Sequence, residues 1–306
     1  MKNKLLYLLF IGSFFWNACA QMVSETTSDL DIEFAEQAPK LVISAYLNPD
    51  SAVSATIHHT VTLDRSYDST YYRTDGTAWV AIYEDNILAD TLAHVSEGVY
   101  RAKNGFKPTA LKQYVIKAWN IGFDTAYSLP VTIPPKIAFT YTYTDSIGVY
   151  NSSDEFGPPA FGQKVALMSV YISDVKNEKN YYAWSADILT DGNEDITTFN
   201  PVGFMETWAE CEPYANIETD RCFDGSDLLW SYQMFAADPD IDIHDYKIKF
   251  YFGQTSALMY QIAKDRRIYM RLENEPFFEP FNISSNIVNG YGAVLALNMS
   301  EIEINL

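Results

Sequence analysis

Apolar and polar residues alternate one by one through several short segments in the first half of the chain. In VSATIHHTVTL (53–63), one set of alternate positions carries Val53, Ala55, Ile57, His59, Val61 and Leu63. The positions between them carry only Ser, Thr and His58. Because successive side chains of a strand point to opposite faces, the segment is predicted to be a half-buried β-strand. His58 and His59 then lie on opposite faces, which argues against a shared metal-binding or acid–base role.

Six more segments in this half have strand character and are separated by turn sequences such as NPDS, TDGT and SEG. They are LVISAYL (41–47), WVAIYED (79–85), ADTLAHV (89–95), GVYRAK (98–103), QYVIKAWN (113–120) and TAYSLPVTI (125–133). Seven short strands within about 95 residues predict an immunoglobulin-like β-sandwich over residues 39–134. The stiff PPK sequence that begins at residue 134 marks the predicted domain boundary.

The second half, residues 135–306, is predicted to be a second β-rich domain with one or two short helices. Its predicted strands are IAFTYTYTD (137–145), QKVALMSVYISD (163–174), YYAWSADIL (181–189), YKIKFYF (246–252), RRIYMRLE (266–273) and GAVLALN (292–298). Apolar residues in GQTSALMYQIAKD (253–265) recur at helical spacing, with Thr255 or Ser256 as the candidate N-cap. DLLWSYQMF (227–235) is the candidate second helix.

The N-terminus has the features of an export signal. Lys2 and Lys4 precede the apolar run LLYLLFIGSFF (5–15). A membrane-spanning helix needs about 20 apolar residues, so this run is too short to span and has the length of a signal-peptide core. Residues 1–18 are therefore predicted to be a signal peptide that directs the chain out of the cytoplasm.

Two cleavage sites remain open, and they lead to different products. Cleavage after Ala20 fits the small-x-small pattern of ordinary signal peptidase, and it releases a soluble protein. Cleavage before Cys19 fits a bacterial lipobox, although Trp16 stands where Leu is usual. The acidic, polar tract at 19–38 is typical of a flexible tether and favours the second product, in which acylated Cys19 anchors the protein to a membrane.

Composition and charge narrow the class of partner. The 306 residues include 40 Asp and Glu against 21 Lys and Arg, for a net charge of −19. Such a surface repels nucleic acid and anionic head groups, so neither is expected to bind it directly. Aromatic residues make up 15% of the chain, which is typical of β-sheet proteins.

The three cysteines fit an oxidising compartment. If Cys19 carries a lipid, Cys211 and Cys222 form an even pair and are predicted to form a disulfide bond. Two cysteines ten residues apart without a nearby histidine do not make a tetrahedral zinc site. No metal or cofactor is predicted from the sequence.

A search for catalytic and ion-binding motifs gives no reaction centre. The chain has no G-x-S-x-G, H-E-x-x-H, P-loop or dinucleotide fingerprint. DPDIDIHDY begins like a calcium loop, but Ile243 occupies the glycine position and Lys249 the position of the bidentate glutamate. DGNED (191–195) is interpreted as a solvated hairpin tip. The sequence therefore indicates a protein that is not an enzyme.

Several segments, taken in order, resemble the bacterial domain-of-unknown-function family 4249. They are LVISAYLNPDSAVSATI, WVAIYED, EGVYRAKNGF, QYVIKAWN leading to VTIPP, NEKNYYAWSADI, TSALMYQIAKD and PFFEPFNISSNIVNGYGAVLALN. The resemblance implies an exported, two-part β-rich lipoprotein of the Gram-negative cell envelope. It also implies an outer-membrane location, often beside a TonB-dependent receptor. The family's lipobox maps onto Cys19, and no catalytic residue carries over.

Three functions from different classes follow from this sequence. The favoured one is a membrane-tethered binding or accessory module, whose partner is a TonB-dependent receptor and whose ligand is unknown. The second is a structural or adhesive surface protein. The third is a secreted hydrolase, which requires one carboxylic acid of raised pKa beside an ionised one.

Overall fold

The computed structural model describes residues 38–61, 76–147, 164–189, 202–203, 216–222, 224–225, 227–234, 247–272 and 282–305. This part of the chain is mainly β, as the sequence predicted, with seventeen strands and one α-helix. The strands are β1 (Leu41–Leu47), β2 (Ser54–His59), β3 (Trp79–Glu84), β4 (Ile87–Ser96), β5 (Val99–Ala102), β6 (Gln113–Trp119), β7 (Ala126–Ser128), β8 (Val131–Thr132), β9 (Thr140–Ile147), β10 (Lys164–Ser173), β11 (Tyr181–Leu189), β12 (Val202–Gly203), β13 (Ile217–Thr219), β14 (Asp227–Met234), β15 (Lys247–Thr255), β16 (Ile287–Val288) and β17 (Tyr291–Asn305). Helix α1 is Ala257–Leu272.

Thirteen strands form one large curled sheet. Its order is β13-β11-β15-β17-β1-β2-β5-β4-β3-β6-β7-β16, with β8 also paired to β6. The sheet curls around a first apolar core, because alternate residues of β1, β2, β3 and β6 all point to the same interior. The fully buried side chains of this core include Leu41, Ile43, Leu47, Ile57, Val80, Ile82, Tyr114, Ile116 and Val294.

A second core forms where another sheet packs on the end of the large one. The smaller sheet has the order β12-β14-β10-β9. Side chains of β10 meet those of β11, β15 and β17, as in a two-layer sandwich. This core contains Met168, Val170, Ile172, Tyr182, Ile248, Phe250, Phe252 and Ile304.

Strand β17 joins the two cores. Its first part pairs in parallel with β1, from Val42 opposite Tyr291 to Leu47 opposite Ala296. Its second part pairs antiparallel with β15, as far as Lys247 opposite Asn305. The C-terminal strand therefore lies beside the first strand of the chain and completes the sheet of the N-terminal half.

Period-two alternation identified most of the strands correctly. β1 and β11 have the predicted bounds, and Val53, Ala55 and Ile57 are buried as predicted. His58 pairs with Val42 and His59 with Leu41, so the two imidazoles lie on opposite faces.

The predicted strand at 125–133 is divided in two: β7 ends before Pro130 and β8 begins after it. Proline has no N–H for a ladder hydrogen bond, which explains the break.

Two assignments from the sequence were wrong. DLLWSYQMF (227–235), considered as a helix, contains strand β14, which pairs along its length with β10. RRIYMRLE (266–273) was predicted as a strand, but its residues 266–272 form the last two turns of α1. The apolar run of β14 is compatible with a helix or a strand, and its pairing with β10 decides for the strand. Helix α1 continues beyond residue 265, where the sequence predicted its end.

Helix α1 is attached to the sheet through polar contacts at its start and middle. The Thr255 hydroxyl donates to the carbonyl of Ala296, and the Ser256 hydroxyl accepts from the Ala296 N–H at 3.4 Å. Asp265 is buried and accepts hydrogen bonds from the Gln261 side chain and the Ser284 N–H, each at 2.8 Å. Burial alone would raise the pKa of Asp265, but these hydrogen bonds outweigh the effect of burial and lower the pKa.

No helix in the described residues is both long and apolar enough to cross a membrane.

The junction of β1 and β17 gives the first testable prediction. Gly292 has φ of +97°, and a Cβ atom there would overlap the carbonyl oxygen of Ile43. Gly292→Ala is expected to lower the free energy of unfolding by about 3 kcal/mol, because left-handed strain of about 1–2 kcal/mol adds to overpacking of about 1–3 kcal/mol. Equilibrium urea unfolding measures the change.

Gly105 supplies the matched control. It also has a positive φ, of +68°, but nothing lies within 4 Å of its would-be Cβ. Gly105→Ala should therefore show the strain alone, about 1–2 kcal/mol. Equal losses in the two variants would contradict the importance of the β1–β17 contact.

Candidate binding face and acidic loop cluster

The residues singled out in the sequence lie mostly outside the described part of the chain. Residues 1–37, with the predicted signal peptide and Cys19, are outside it, as are Cys211 and the DGNED turn. Cys222 ends a short 3-10 turn, Asp220–Cys222. The lipid anchor and the Cys211–Cys222 bridge therefore stay predictions.

The outer side of strands β3, β4, β6 and β7 carries four aromatic residues, two of them exposed tryptophans. We call the outward positions of these four strands the aromatic face. They are Trp79, Ala81, Tyr83, Leu88, Thr91, Ala93, Val95, Gln113, Val115, Lys117, Trp119 and Tyr127. The inward positions of the same strands fill the first core.

Two tryptophans stand side by side on this face. Trp79 and Trp119 are directly opposite in the antiparallel β3–β6 ladder, which places their Cβ atoms about 5 Å apart. They are 42% and 44% exposed, and Ile121, in the turn that follows β6, is 81% exposed. Large apolar side chains that remain this exposed and adjacent commonly mark a binding surface.

The aromatic face carries no acidic residue. Its one charged side chain is Lys117, whose Nζ lies 4.6 Å from the centre of the Tyr83 ring. The carboxylates of these strands point inward: Asp90 is buried, and Glu84 accepts a hydrogen bond from Tyr114 at 2.7 Å. In a chain where acidic residues outnumber basic ones by 40 to 21, a face free of carboxylates is a marked departure from the average surface.

Three aspartates meet at the edge of the second core. Asp174 follows β10, Asp220 follows β13, and Asp224 precedes β14. One carboxylate oxygen from each lies within 4.8 Å of the others. We call these three residues the acidic loop cluster. The cluster is not recognisable in the sequence, because Asp220 and Asp224 lie 46 and 50 residues after Asp174.

Neutral donors hold the three carboxylates in place. Asp174 accepts hydrogen bonds from the Tyr182 hydroxyl and from the Gly225 N–H. Asp220 accepts from the Asn180 N–H at 2.5 Å, and Asp224 accepts from the Asn177 N–H at 2.6 Å. Each carboxylate is thereby oriented toward the middle of the cluster by the backbone of the facing loop.

The cluster lies where the chain passes twice between the two sheets. The loop after β10 leaves the small sheet and enters the large one at β11, and it carries Asp174, Asn177 and Asn180. The loop after β13 leaves the large sheet and enters the small one at β14, and it carries Asp220 and Asp224. These two crossover loops hydrogen-bond to each other through the cluster.

The environment makes the Asp220 carboxyl harder to ionise. Asp220 is 3% exposed. Burial raises its pKa most, the Asn180 N–H lowers it in part, and the charges of Asp174 and Asp224 raise it further. Burial likewise raises the pKa of the neighbouring Tyr182, helped by its hydrogen bond to Asp174.

The described residues define a mainly β protein with an aromatic face and an acidic loop cluster. Residues 27–303 match the family described as Domain of unknown function (DUF4249), and the chain belongs to this family. The match covers nearly the whole chain and confirms the family resemblance found in the sequence. No curated protein matches it.

The raised pKa of Asp220 gives a prediction about pH. Because the folded state binds this proton more tightly than the unfolded state, stability from this group is fully present below the unfolded pKa, 3.8, and is lost as the pH rises through the folded pKa. In buffer with EDTA at pH 7, Asp220→Asn should therefore be at least as stable as wild type. Urea unfolding at several pH values measures this.

A charge-matched control separates this effect from general repulsion. Glu178 lies exposed in the facing crossover loop, between β10 and β11, and outside the cluster. Glu178→Gln should keep the pH dependence of the wild type between about pH 7 and pH 4, whereas Asp220→Asn should flatten it. A clear loss of stability in Asp220→Asn at pH 7 would contradict the prediction.

Proposed function

We propose that this protein is an exported, lipid-anchored binding or accessory module of the outer membrane, with a TonB-dependent receptor as its partner. The observation that carries the proposal is the aromatic face, with its adjacent exposed tryptophans and no carboxylate. The molecular event is the docking of this face on a protein surface, without chemical change to the partner.

The composition of the aromatic face supports a protein partner. The central parts of protein–protein interfaces are enriched in Trp, Tyr and Arg and depleted in Asp, Glu and Lys. Binding energy concentrates in a few such residues, and tryptophan is prominent among them. The face presents Trp79, Trp119, Tyr83 and Tyr127 around a single Lys117. Packing the aromatic face against the partner would remove the exposed tryptophan rings from water.

The export and membrane anchoring of the module are part of the same proposal. Residues 1–18 are a signal peptide, acylated Cys19 is the palmitate-type anchor, and residues 19–38 are the tether. A Cys211–Cys222 disulfide closes a loop in the oxidising envelope. The anchored body begins with an immunoglobulin-like sandwich over residues 39–134 and continues into a second domain over 135–306.

A hydrolase is less well supported, although the acidic loop cluster has one property of such a site. Asp220 has a raised pKa beside two other carboxyl groups, as a general acid requires. However, Asp220 is 3% exposed and bonded to the Asn180 N–H, so it does not face a substrate cleft. Glycosidase carboxyl pairs flank a bond that must fit between them, which needs an open site.

Lipid attachment is tested by metabolic labelling in a bacterial host. With an alkyne fatty-acid analogue, the wild type should become labelled and should fractionate with membranes. Cys19→Ala should lose both properties, because the acylated thioether is the proposed anchor. Cys222→Ala is the matched control and should stay labelled. An unlabelled, soluble wild type that begins at Gln21 would contradict the anchor.

Docking through the aromatic face is tested by photocrosslinking in cells. A photoreactive amino acid at position 79 or 119 should form an adduct that mass spectrometry identifies as a TonB-dependent receptor. Tyr46, 59% exposed on β1 and outside the face, is the matched control position and should give no such adduct. No adduct from either tryptophan position, or the same adduct from position 46, would contradict the proposal.

A further inference from the structure

One of the edge strands of the two sheets is much longer than the others. Among the described strands, the large sheet ends at β13 and β16, which have three and two residues, and the small sheet ends on one side at β12, which has two. The small sheet ends on its other side at β9, which has eight residues. Short edge strands protect a sheet from pairing with another chain, because they offer few N–H and C=O groups. Strand β9 lacks this protection.

Strand β9 is also regular and, over its first five residues, uncharged. It pairs with β10 in eight consecutive residue pairs without a bulge, from Thr140 opposite Tyr171 to Ile147 opposite Lys164. Residues 140–144 have the sequence TYTYT, and all five are exposed. Lysine, proline and bulges are the usual devices that block an edge, and this segment has none of them. Since β10 lies on one side only, alternate residues of β9 direct their N–H and C=O groups away from the sheet.

The two tyrosines of this segment lie on the inner side of the small sheet. Tyr141 is opposite Val170 and Tyr143 is opposite Met168. Both partners belong to the second core, so the tyrosines share the face of buried residues. Tyr141 is 37% and Tyr143 42% exposed. The inner layer of the second core therefore continues to the edge of the sheet and leaves aromatic ring surface in water there.

The sequence of this segment matches itself. TYTYT reads the same in both directions, so an antiparallel pairing of two identical strands centred on Thr142 places Tyr141 opposite Tyr143 and Thr140 opposite Thr144. Thr142 is then opposite its own copy. Aromatic pairs and Thr–Thr pairs both stabilise antiparallel ladders. A two-fold axis requires this kind of self-complementary surface, whereas a strand from a different protein does not.

Charge also favours contact between two copies at this edge. Two chains that each carry a net charge of −19 repel each other, so they associate most easily where no carboxylates face each other. The ladder formed by residues 140–144 of both copies contains only neutral side chains. The length of the edge, its self-complementary sequence and its neutrality therefore all indicate the same occupant, which is a second copy of this chain.

We propose that β9 is a dimerisation edge, at which the β9 of a second copy adds antiparallel about a two-fold axis through Thr142. The two small sheets then form one continuous sheet with four described strands from each copy. The tyrosines meet on its inner face and the threonines on its outer face. An edge of five residue pairs is a small interface, in the weak and reversible class below about 1,200 Å². The aromatic face lies on other strands, so docking and dimerisation use different surfaces.

The experiment measures the molar mass of the mature chain, residues 19–306, as a function of its concentration. Cys19→Ala is included in every sample, because it removes both the proposed lipid and a thiol that could crosslink two chains. Sedimentation equilibrium should show a reversible monomer–dimer equilibrium. A chain that stays monomeric up to about 1 mM, or that forms only larger assemblies, would overturn the proposal.

Thr142→Lys and Thr142→Asp test the position of the axis. Because position 142 is opposite itself, each variant places two like charges directly across the ladder, which is destabilising. Each should weaken dimerisation by about fivefold or more. The monomers should melt close to the wild-type temperature, since the side chain at 142 is exposed.

A mixture of the two variants in equal amounts should recover the dimer, because lysine is then opposite aspartate. A disturbed fold could not give this recovery. Thr132→Lys, at an exposed position on β8, is the matched control and should dimerise as wild type does. A dimer of unchanged strength in both variants at 142, or a mixture that associates no better than either variant alone, would overturn the proposal.

Discussion

The parallel contact between β1 and β17 is the constraint on which the rest of the structure depends. Six residue pairs join the first described strand to the last one, and Gly292 allows the two backbones to approach at the start of the ladder. The same β17 carries Val294 into the first core and Ile304 into the second. Neither core is complete until the C-terminus has paired, so the fold is dominated by contacts between distant parts of the sequence.

Both candidate sites depend on this arrangement, in different ways. The aromatic face is the outside of strands whose inside fills the first core, so its shape follows from the packing beneath it. The acidic loop cluster exists because two of the loops that cross between the layers of the second core meet at one edge. The cluster residues are therefore brought together by sheet packing and not by a local motif, which is why their spacing resembles no known ion-binding loop.

The sequence predicts what is local and misses what depends on packing. Alternation identifies β1 and β11 because one side of each strand is clearly more apolar than the other. In β3, however, Trp79, Ala81 and Tyr83 on one side are as apolar as Val80 and Ile82 on the other. Alternation alone cannot show which side faces water there, so the aromatic face becomes recognisable only once the core is known. The helix considered for the segment of β14 was wrong for a related reason. The apolar run of this segment fits a helix or a strand, and only its pairing with β10 distinguishes the two.

The distribution of charge relates the aromatic face to the proposed location of the protein at a membrane. A protein of net charge −19 is repelled by other anionic surfaces at distances up to about 8 Å in physiological salt. The outward positions of the aromatic face contribute one cation and no carboxylate, which reduces this repulsion locally. A tethered body held near an anionic membrane and its receptors would approach a partner most easily on that side.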